Sequence, residues 1–176
     1  MERSNLAKGA AMATYDLLIK NVKVVNHDGE SATPLDIAVT DGIVTAISAG
    51  LDESNAKKVV DGTGRVAYPG AVDAHQHWGI YNPLDQDTVS ESKASAQGGV
   101  TTAITYMRTG QYYLNKGGSY LDFFPEVLAL SENRAHVDYG FHLAPMTKQH
   151  ITEIPEIISQ FGVSSFKIFM FYGSHG

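Results

Sequence analysis

After residue 66, strand-like apolar runs alternate with stretches of helical spacing. That alternation restricts the chain to a parallel sheet flanked by helices, an α/β architecture. Val66 to Asp73 reads as a strand that ends at His75-Gln76-His77. Thr88-Val-Ser-Glu91 has the form of a capping box, opening a helix that runs to Gln97, where Gly98-Gly99 stops it. Val100 to Met107 is the next strand, followed by a Tyr- and Gly-rich loop at 108–119. A helix over Asp122 to Asn133 tolerates Pro125 in its first turn. His136 to Leu143 is a third strand. Ile151, Ile154, Ile157, Ile158 and Phe161 then fall at helical spacing, with Gly162 as the stop, and Ser164 to Phe171 is a fourth strand.

The preceding stretch is different. Residues 15–66 contain only short strands: 15–26, closed by a turn at His27-Asp28-Gly29-Glu30; Leu35 to Val39; and the run 43–48 entered through an Asp41-Gly42 hairpin turn. Val59-Val60 follows, then Asp61-Gly62-Thr63-Gly64. Residues 1–14 are small and polar without a period and are expected to form a poorly ordered tail. The expected organisation is thus a tail (1–14), a small β module without a helix (15–66) and the α/β part (67–176).

Composition removes several classes of chemistry. The chain has no cysteine, so disulfides, thiolate zinc sites and cysteine nucleophiles are excluded. A transition metal would have to be held by nitrogen and oxygen. The net charge of −6, with no basic block, speaks against a nucleic-acid partner. No apolar run approaches the roughly 18 residues that span a bilayer. No signal-peptide pattern opens the chain, so a cytoplasmic protein without a membrane partner is expected. Gly-x-Gly-x-x-Gly and P-loop patterns are both absent, which leaves nucleotide binding unsupported.

Chemistry concentrates at the predicted strand ends, where parallel α/β folds place their sites. His75 and His77, two residues apart, share one face of a strand and can reach a single metal ion; the alternative is two unrelated loop histidines. Asp73 lies on the same face and could accept a proton from a ring nitrogen, fixing its tautomer. Lys167 stands within the apolar run Ser165-Phe-Lys-Ile-Phe-Met-Phe-Tyr172. Burial there would favour a neutral amine, able to act as a nucleophile or to add carbon dioxide as a carbamate; the alternative is a lysine that snorkels to water. Tyr172 could donate to a developing oxyanion, or be one more packing aromatic. His142 could support the site from behind or sit in the core, while His27, His136, His150 and His175 have no supporting pattern. Tyr106, Tyr112, Tyr113, Tyr120, Phe123 and Phe124 surround the loop after the second strand, as a cleft lining, a subunit contact or loop packing.

Taken in order, four stretches resemble the amidohydrolase superfamily, and within it the dihydropyrimidinase/hydantoinase group. They are Gly70 to His77, Gly98-Gly-Val-Thr-Thr102, Asp138-Tyr-Gly-Phe-His142 and Ser165-Phe-Lys-Ile-Phe-Met170, with Tyr172 five residues after the lysine. The resemblance implies the N-terminal part of a metal-dependent (β/α)₈ TIM barrel, with about four strands present, preceded by strands of a small β-sandwich. It implies two divalent metal ions, zinc as the usual occupants, with His75 and His77 on the more buried one and Lys167 bridging both as its carbamate. It also implies that Tyr172 polarises the carbonyl of a small cyclic amide or ureide, whose ring is opened by a metal-bridging hydroxide. Such enzymes often form homotetramers.

Trp78-Gly79 stands where dihydroorotase-like relatives carry an arginine, which argues against a carboxylate-bearing substrate of that kind; allantoinase-type chemistry remains an alternative. A complete barrel takes about 250 residues, more than this whole chain of 176. The family's remaining histidines and catalytic aspartate have no candidates here. The chain is therefore expected to be a part of an enzyme, inactive alone, or else a non-catalytic half-barrel completed by itself or by a homologue.

Overall fold

The structure, a computed structural model, describes residues 14–26, 28–31, 33–110 and 114–170. The chain divides into two compact units between Pro69 and Gly70.

The first unit is built around β1 (Leu17–Asn26). β1 pairs antiparallel with β2 (Gly29–Glu30) and β3 (Leu35–Thr40), and β3 pairs antiparallel with β4 (Ile43–Ser48). Asp41 and Gly42 both take positive φ, 50° and 75°, the backbone that a two-residue hairpin turn requires. β5 (Val59–Asp61) and β6 (Val66–Ala67) run parallel to β1. Alternation along β1 and β3 buries Val22, Val24 and Ile37 on one face, with Ile19, Leu35, Val39 and Ala67 packed against them. A single 3₁₀ turn, Glu53–Asn55, interrupts the strands, and there is no α-helix among this unit's described residues.

The bulge in β1 has an identifiable cause. Asn21 sits at φ 56°, between the paired residues Ile19 and Val22. Its N–H donates to Asp36 Oδ1 over 3.0 Å, while the N–H of Leu51 donates to Oδ2 over 2.9 Å and Lys20 Nζ lies 3.0 Å from Oδ2. Burial alone would raise the Asp36 carboxyl; the Asn21 N–H, the Lys20 ammonium and the Leu51 N–H together hold it below the usual carboxylate range.

The second unit carries the alternating part. β7 (Ala71–Gln76), β8 (Val100–Met107) and β9 (Asp138–Leu143) form a parallel sheet in that order. Three helices connect and flank them: α1 (Leu84–Gln97), α2 (Tyr120–Ser131) and α3 (Lys148–Phe161). The core joins both layers through Trp78, Leu84, Met107, Tyr120, Phe124, Val127, Leu143 and Ile157. The alternating parallel architecture expected from the sequence is the one observed.

Several details differ. α1 begins at Leu84, not at Thr88: Pro83 stands at the cap with extended backbone, and its carbonyl accepts the Gln86 and Asp87 N–H groups over 3.0 Å each. Thr88 therefore lies inside the helix, where its hydroxyl donates to the carbonyl of Leu84 over 2.7 Å instead of capping. α2 starts two residues earlier than expected, capped by Ser119, whose Oγ accepts from the Leu121 N–H over 3.0 Å. Pro125 is consequently in the second turn. α3, capped by Thr147, starts three residues before the apolar spacing that begins at Ile151, and it stops at Gly162, φ 68°, as expected. Ser164 to Met170 does not form a regular strand. It runs beside β9 through one parallel bridge, Leu143 to Phe166, with Lys167 N–H donating to the carbonyl of Leu143 over 3.0 Å. Tyr120, Phe123 and Phe124 are core residues of α2, not a cleft lining. No helix among the described residues is long and apolar enough to cross a membrane.

Candidate metal centre

Three nitrogen atoms converge near the C-terminal end of β7, from His75 within it, His77 just after it and Lys167 on the segment beside β9. His75 Nε2 lies 3.1 Å from His77 Nε2 and 2.8 Å from Lys167 Nζ. The i, i+2 spacing on an extended segment brings the two imidazoles together, with ring centroids 5.1 Å apart and planes 30° off parallel. Lys167 arrives from 92 residues away, delivered by the single bridge of its segment to Leu143.

Gln76, between the histidines, faces the other way. Its Nε2 donates to Ser95 Oγ on α1 over 2.9 Å and its Oε1 accepts from Trp78 Nε1–H over 2.9 Å. That anchoring keeps the alternation of β7 from slipping, so both histidines stay on one face.

Beneath the nitrogens lies an aromatic floor. Tyr106, 6% exposed, packs edge-on to His77 at 4.5 Å between centroids and to Phe169 at 5.7 Å. Lys167 Nζ stands 5.1 Å from the Tyr106 ring centre and 5.4 Å from that of Phe169. Burial first, and then the neighbouring His75 and Lys167, push the His77 imidazole below its ordinary value. That shift favours the neutral imidazole, the form that binds metal.

The other predicted residues fall as follows. Asp73 does not take a ring nitrogen as expected. Its Oδ1 accepts the backbone N–H of His75 over 3.0 Å and its Oδ2 accepts from Gln76 Nε2 over 3.0 Å. Those two donors, Gln76 first, hold its carboxyl below the usual range. The reason is local: a carboxylate two residues before His75 reaches the peptide N–H more directly than the far edge of the ring. His142 joins the segments that carry His75 and Lys167, with Nε2 2.9 Å from the carbonyl of Ala74 and Nδ1 2.6 Å from Ser165 Oγ. Lys167 is only half-buried, and its neighbours Ile168 and Met170 are exposed, so the deeply buried apolar strand expected around it is not observed. Tyr172 lies outside the described residues, as do His27, Tyr112, Tyr113 and His175. His136 lines a shallow cavity with Val100, Thr101 and Asp138 at the opposite ends of the strands. His150 is a structural residue: its Nδ1 accepts the Met146 N–H and its Nε2 meets the carbonyl of Gly118.

The sequence offered Tyr106 as one of several aromatics for a cleft lining, a subunit contact or loop packing, without placing it against the histidines. The signal was the strand register. Gln76 pairs with Thr105, which sets Tyr106 beside His77.

The donor set suits a metal. Neutral imidazoles favour zinc and its neighbours, and a tetrahedral zinc with Zn–N bonds of about 2.05 Å has an N···N edge of about 3.3 Å, close to the 3.1 Å between His75 and His77. Among the described residues there is no cluster of three or more His, Asp or Glu arranged to hold a metal, so the third group of this constellation is the lysine.

No protein-family model matches the chain. It is 34% identical over 163 residues to a D-hydantoinase of Geobacillus stearothermophilus, covering 88% of this chain and 32% of that relative. It is also 34% identical to a D-phenylhydantoinase of Escherichia coli, covering 89% of this chain and 33% of the relative. The chain thus spans about a third of the length of the curated relatives it matches. Among solved structures, the dihydropyrimidinase from Brevibacillus agri superposes with a TM-score of 0.73 at 27% identity, over 90% of this chain and 34% of that one. The zinc-complexed atrazine chlorohydrolase of Arthrobacter aurescens shares the fold alone, with a TM-score of 0.60 at 15% identity over 82% of this chain and 43% of that one. Over nearly its whole length, the chain is therefore similar to hydantoinases and to a dihydropyrimidinase, in sequence and in fold.

Proposed function

We propose that this chain carries the first metal-binding half of a cyclic-amide hydrolase. The observation that carries the reading is the convergence of His75, His77 and Lys167 at one point. His75 and His77 would hold one divalent ion through Nε2, and Lys167, as its carbamate, would supply an anionic oxygen shared with a second. The bound metal, zinc by preference, supplies Lewis acidity and an activated water at neutral pH. The chain's own residues prepare that role. Tyr106 and Phe169 exclude water from one side of the lysine, and His142 ties the backbone before His75 to Ser165. Tyr172 would polarise the substrate carbonyl by donating a hydrogen bond to its oxygen. The net reaction adds water across a ring C–N bond, leaving a carboxylate, a new N–H and one proton released to solvent. Residues 15–66 would be strands of the family's sandwich and 67–176 the first strands of its barrel.

Zinc binding by the 176-residue chain tests the reading, measured by competition with a chromophoric chelator in bicarbonate buffer. Tight binding that His75→Ala, His77→Ala and Lys167→Ala each weaken at least tenfold is expected, with no hydantoin or dihydrouracil turnover by this chain alone. Binding that ignores all three substitutions refutes the metal site. Zinc-dependent ring opening by the isolated chain refutes the assignment of only half a site.

A further inference from the structure

We propose that Thr105 is the positioning residue of His77: its side chain clamps both peptide groups that flank this histidine and so sets the direction of the imidazole. The proposal rests on the metal reading above and extends it to a residue with no contact to the ion.

The geometry is specific. β7 stops at Gln76, and the Gln76–Thr105 pair is the last in its register with β8. Ladder hydrogen bonds therefore end one residue before His77. Thr105 Oγ1 takes over from there. It accepts the backbone N–H of Trp78 over 2.9 Å and donates to the carbonyl of Gln76 over 3.1 Å. One carbonyl belongs to the peptide before His77 and one N–H to the peptide after it. With both peptide planes held, φ and ψ of His77 are fixed, and with them the direction of its Cα–Cβ bond.

The clamp is buried. Thr105 is fully buried and Trp78 is 1% exposed, so water does not replace the hydroxyl if it is removed. The hydroxyl's single proton is committed to the Gln76 carbonyl, which leaves its lone pair aimed at Trp78 N–H. The Trp78 indole, anchored on Gln76 Oε1, fixes the far side of the same turn. Thr105 itself points away from the three nitrogens, because its neighbour Tyr106 occupies the face beneath them. It acts on the metal only through His77.

Outer residues that orient a ligand typically change metal affinity by about 10- to 100-fold when lost. Thr105→Val keeps the shape and removes both hydrogen bonds. It should weaken zinc binding by the 176-residue chain about tenfold or more, whereas Thr105→Ser, which keeps the hydroxyl, should bind as wild type. Ser131→Ala, which deletes a buried hydroxyl donating to the Val127 carbonyl on α2, controls for general destabilisation and should leave zinc affinity unchanged. Equal affinity in folded Thr105→Val and wild type overturns the clamp while leaving the metal site standing. So does a loss in Thr105→Ser as large as in Thr105→Val. Wild-type binding that is insensitive to His77→Ala fails the metal reading itself. Where Thr105→Val does not fold, linkage supplies the decision in the wild-type chain. If the clamp favours metal, metal must favour the clamp, so zinc should slow hydrogen exchange at the Trp78 amide severalfold. Unchanged exchange there overturns the proposal.

Discussion

Tyr120→Phe isolates one buried hydrogen bond in the α/β unit. Tyr120 is 1% exposed, and its hydroxyl donates to the carbonyl of Ala144 over 2.7 Å, with the carbonyl of Met107 3.3 Å away. The bond ties the start of α2 to the ends of β8 and β9. Phenylalanine keeps the ring, and so keeps the packing on Phe123 at 5.1 Å and on His150 at 4.5 Å. Met107 O retains the Ala144 N–H over 3.0 Å, so the loss falls on Ala144 O, in a residue with no exposure. An unsatisfied buried acceptor costs about 1–3 kcal/mol, and the ring's retention places the expectation near 1.5 kcal/mol. For a chain of this length that corresponds to a fall in Tm of roughly 3–6 °C. Trp78, the sole tryptophan, is 1% exposed in the same core, so its fluorescence during guanidinium unfolding reports this unit. The pH dependence gives a second check. Burial raises the Tyr120 phenol above its ordinary value, so the folded state keeps its proton longer than the unfolded chain does. The wild-type advantage is then fully present below pH 10 or so and shrinks as pH climbs toward the folded-state value. A Tyr120→Phe chain within about 0.3 kcal/mol of wild type at pH 7, or more stable than it, would refute the reasoning.

Three further outcomes follow from the packing and hydrogen bonds. Asp36, 3% exposed and depressed by its three donors, contributes stability above pH 4 or so that is lost as pH falls through its lowered value; Asp36→Asn should flatten that acid limb and cost roughly 2–4 kcal/mol at pH 7, read by circular dichroism across pH. At Gly70 an added Cβ would stand 2.1 Å from Thr101 Oγ1 and 2.6 Å from Thr101 Cβ, so Gly70→Ala should destabilise by about 1–3 kcal/mol; adding Thr101→Gly should rescue it and adding Thr101→Ala should not, in thermal melts. His142→Ala cuts the link between the Ala74 carbonyl and Ser165 Oγ and should lower zinc affinity about tenfold, measured by chelator competition.

What could be read before folding depended on how far apart in sequence the interacting groups lie. Asp41-Gly42 and Gly162 announce a hairpin and a helix end because each needs positive φ at a named residue, a property of two or three residues alone. His75 and His77 are legible as a pair for the same reason: two residues on an extended chain share a face whatever surrounds them. Thr88 failed at intermediate range. The capping-box pattern is real, but Pro83 starts the helix earlier, and a threonine inside a helix bonds back to the fourth residue before it as readily as it caps. Asp73 failed because a short carboxylate chooses the nearest donor, which is a peptide N–H and not a ring. At the longest range, spacing alone could not say that Lys167 meets His75, or that Tyr106 lies beneath both. Those contacts depend on β9 placing a loosely paired segment against Leu143, and on a register in which Gln76 meets Thr105. The resemblance to the amidohydrolases linked Lys167 to the histidines because it carries topology that composition and periodicity lack. It was silent on Thr105, whose hydroxyl replaces a ladder that β7 no longer provides. A residue of that kind is recognised only when each backbone donor beside a candidate ligand is traced to its acceptor, and the trace from Trp78 N–H ends on a side chain one strand away from His77.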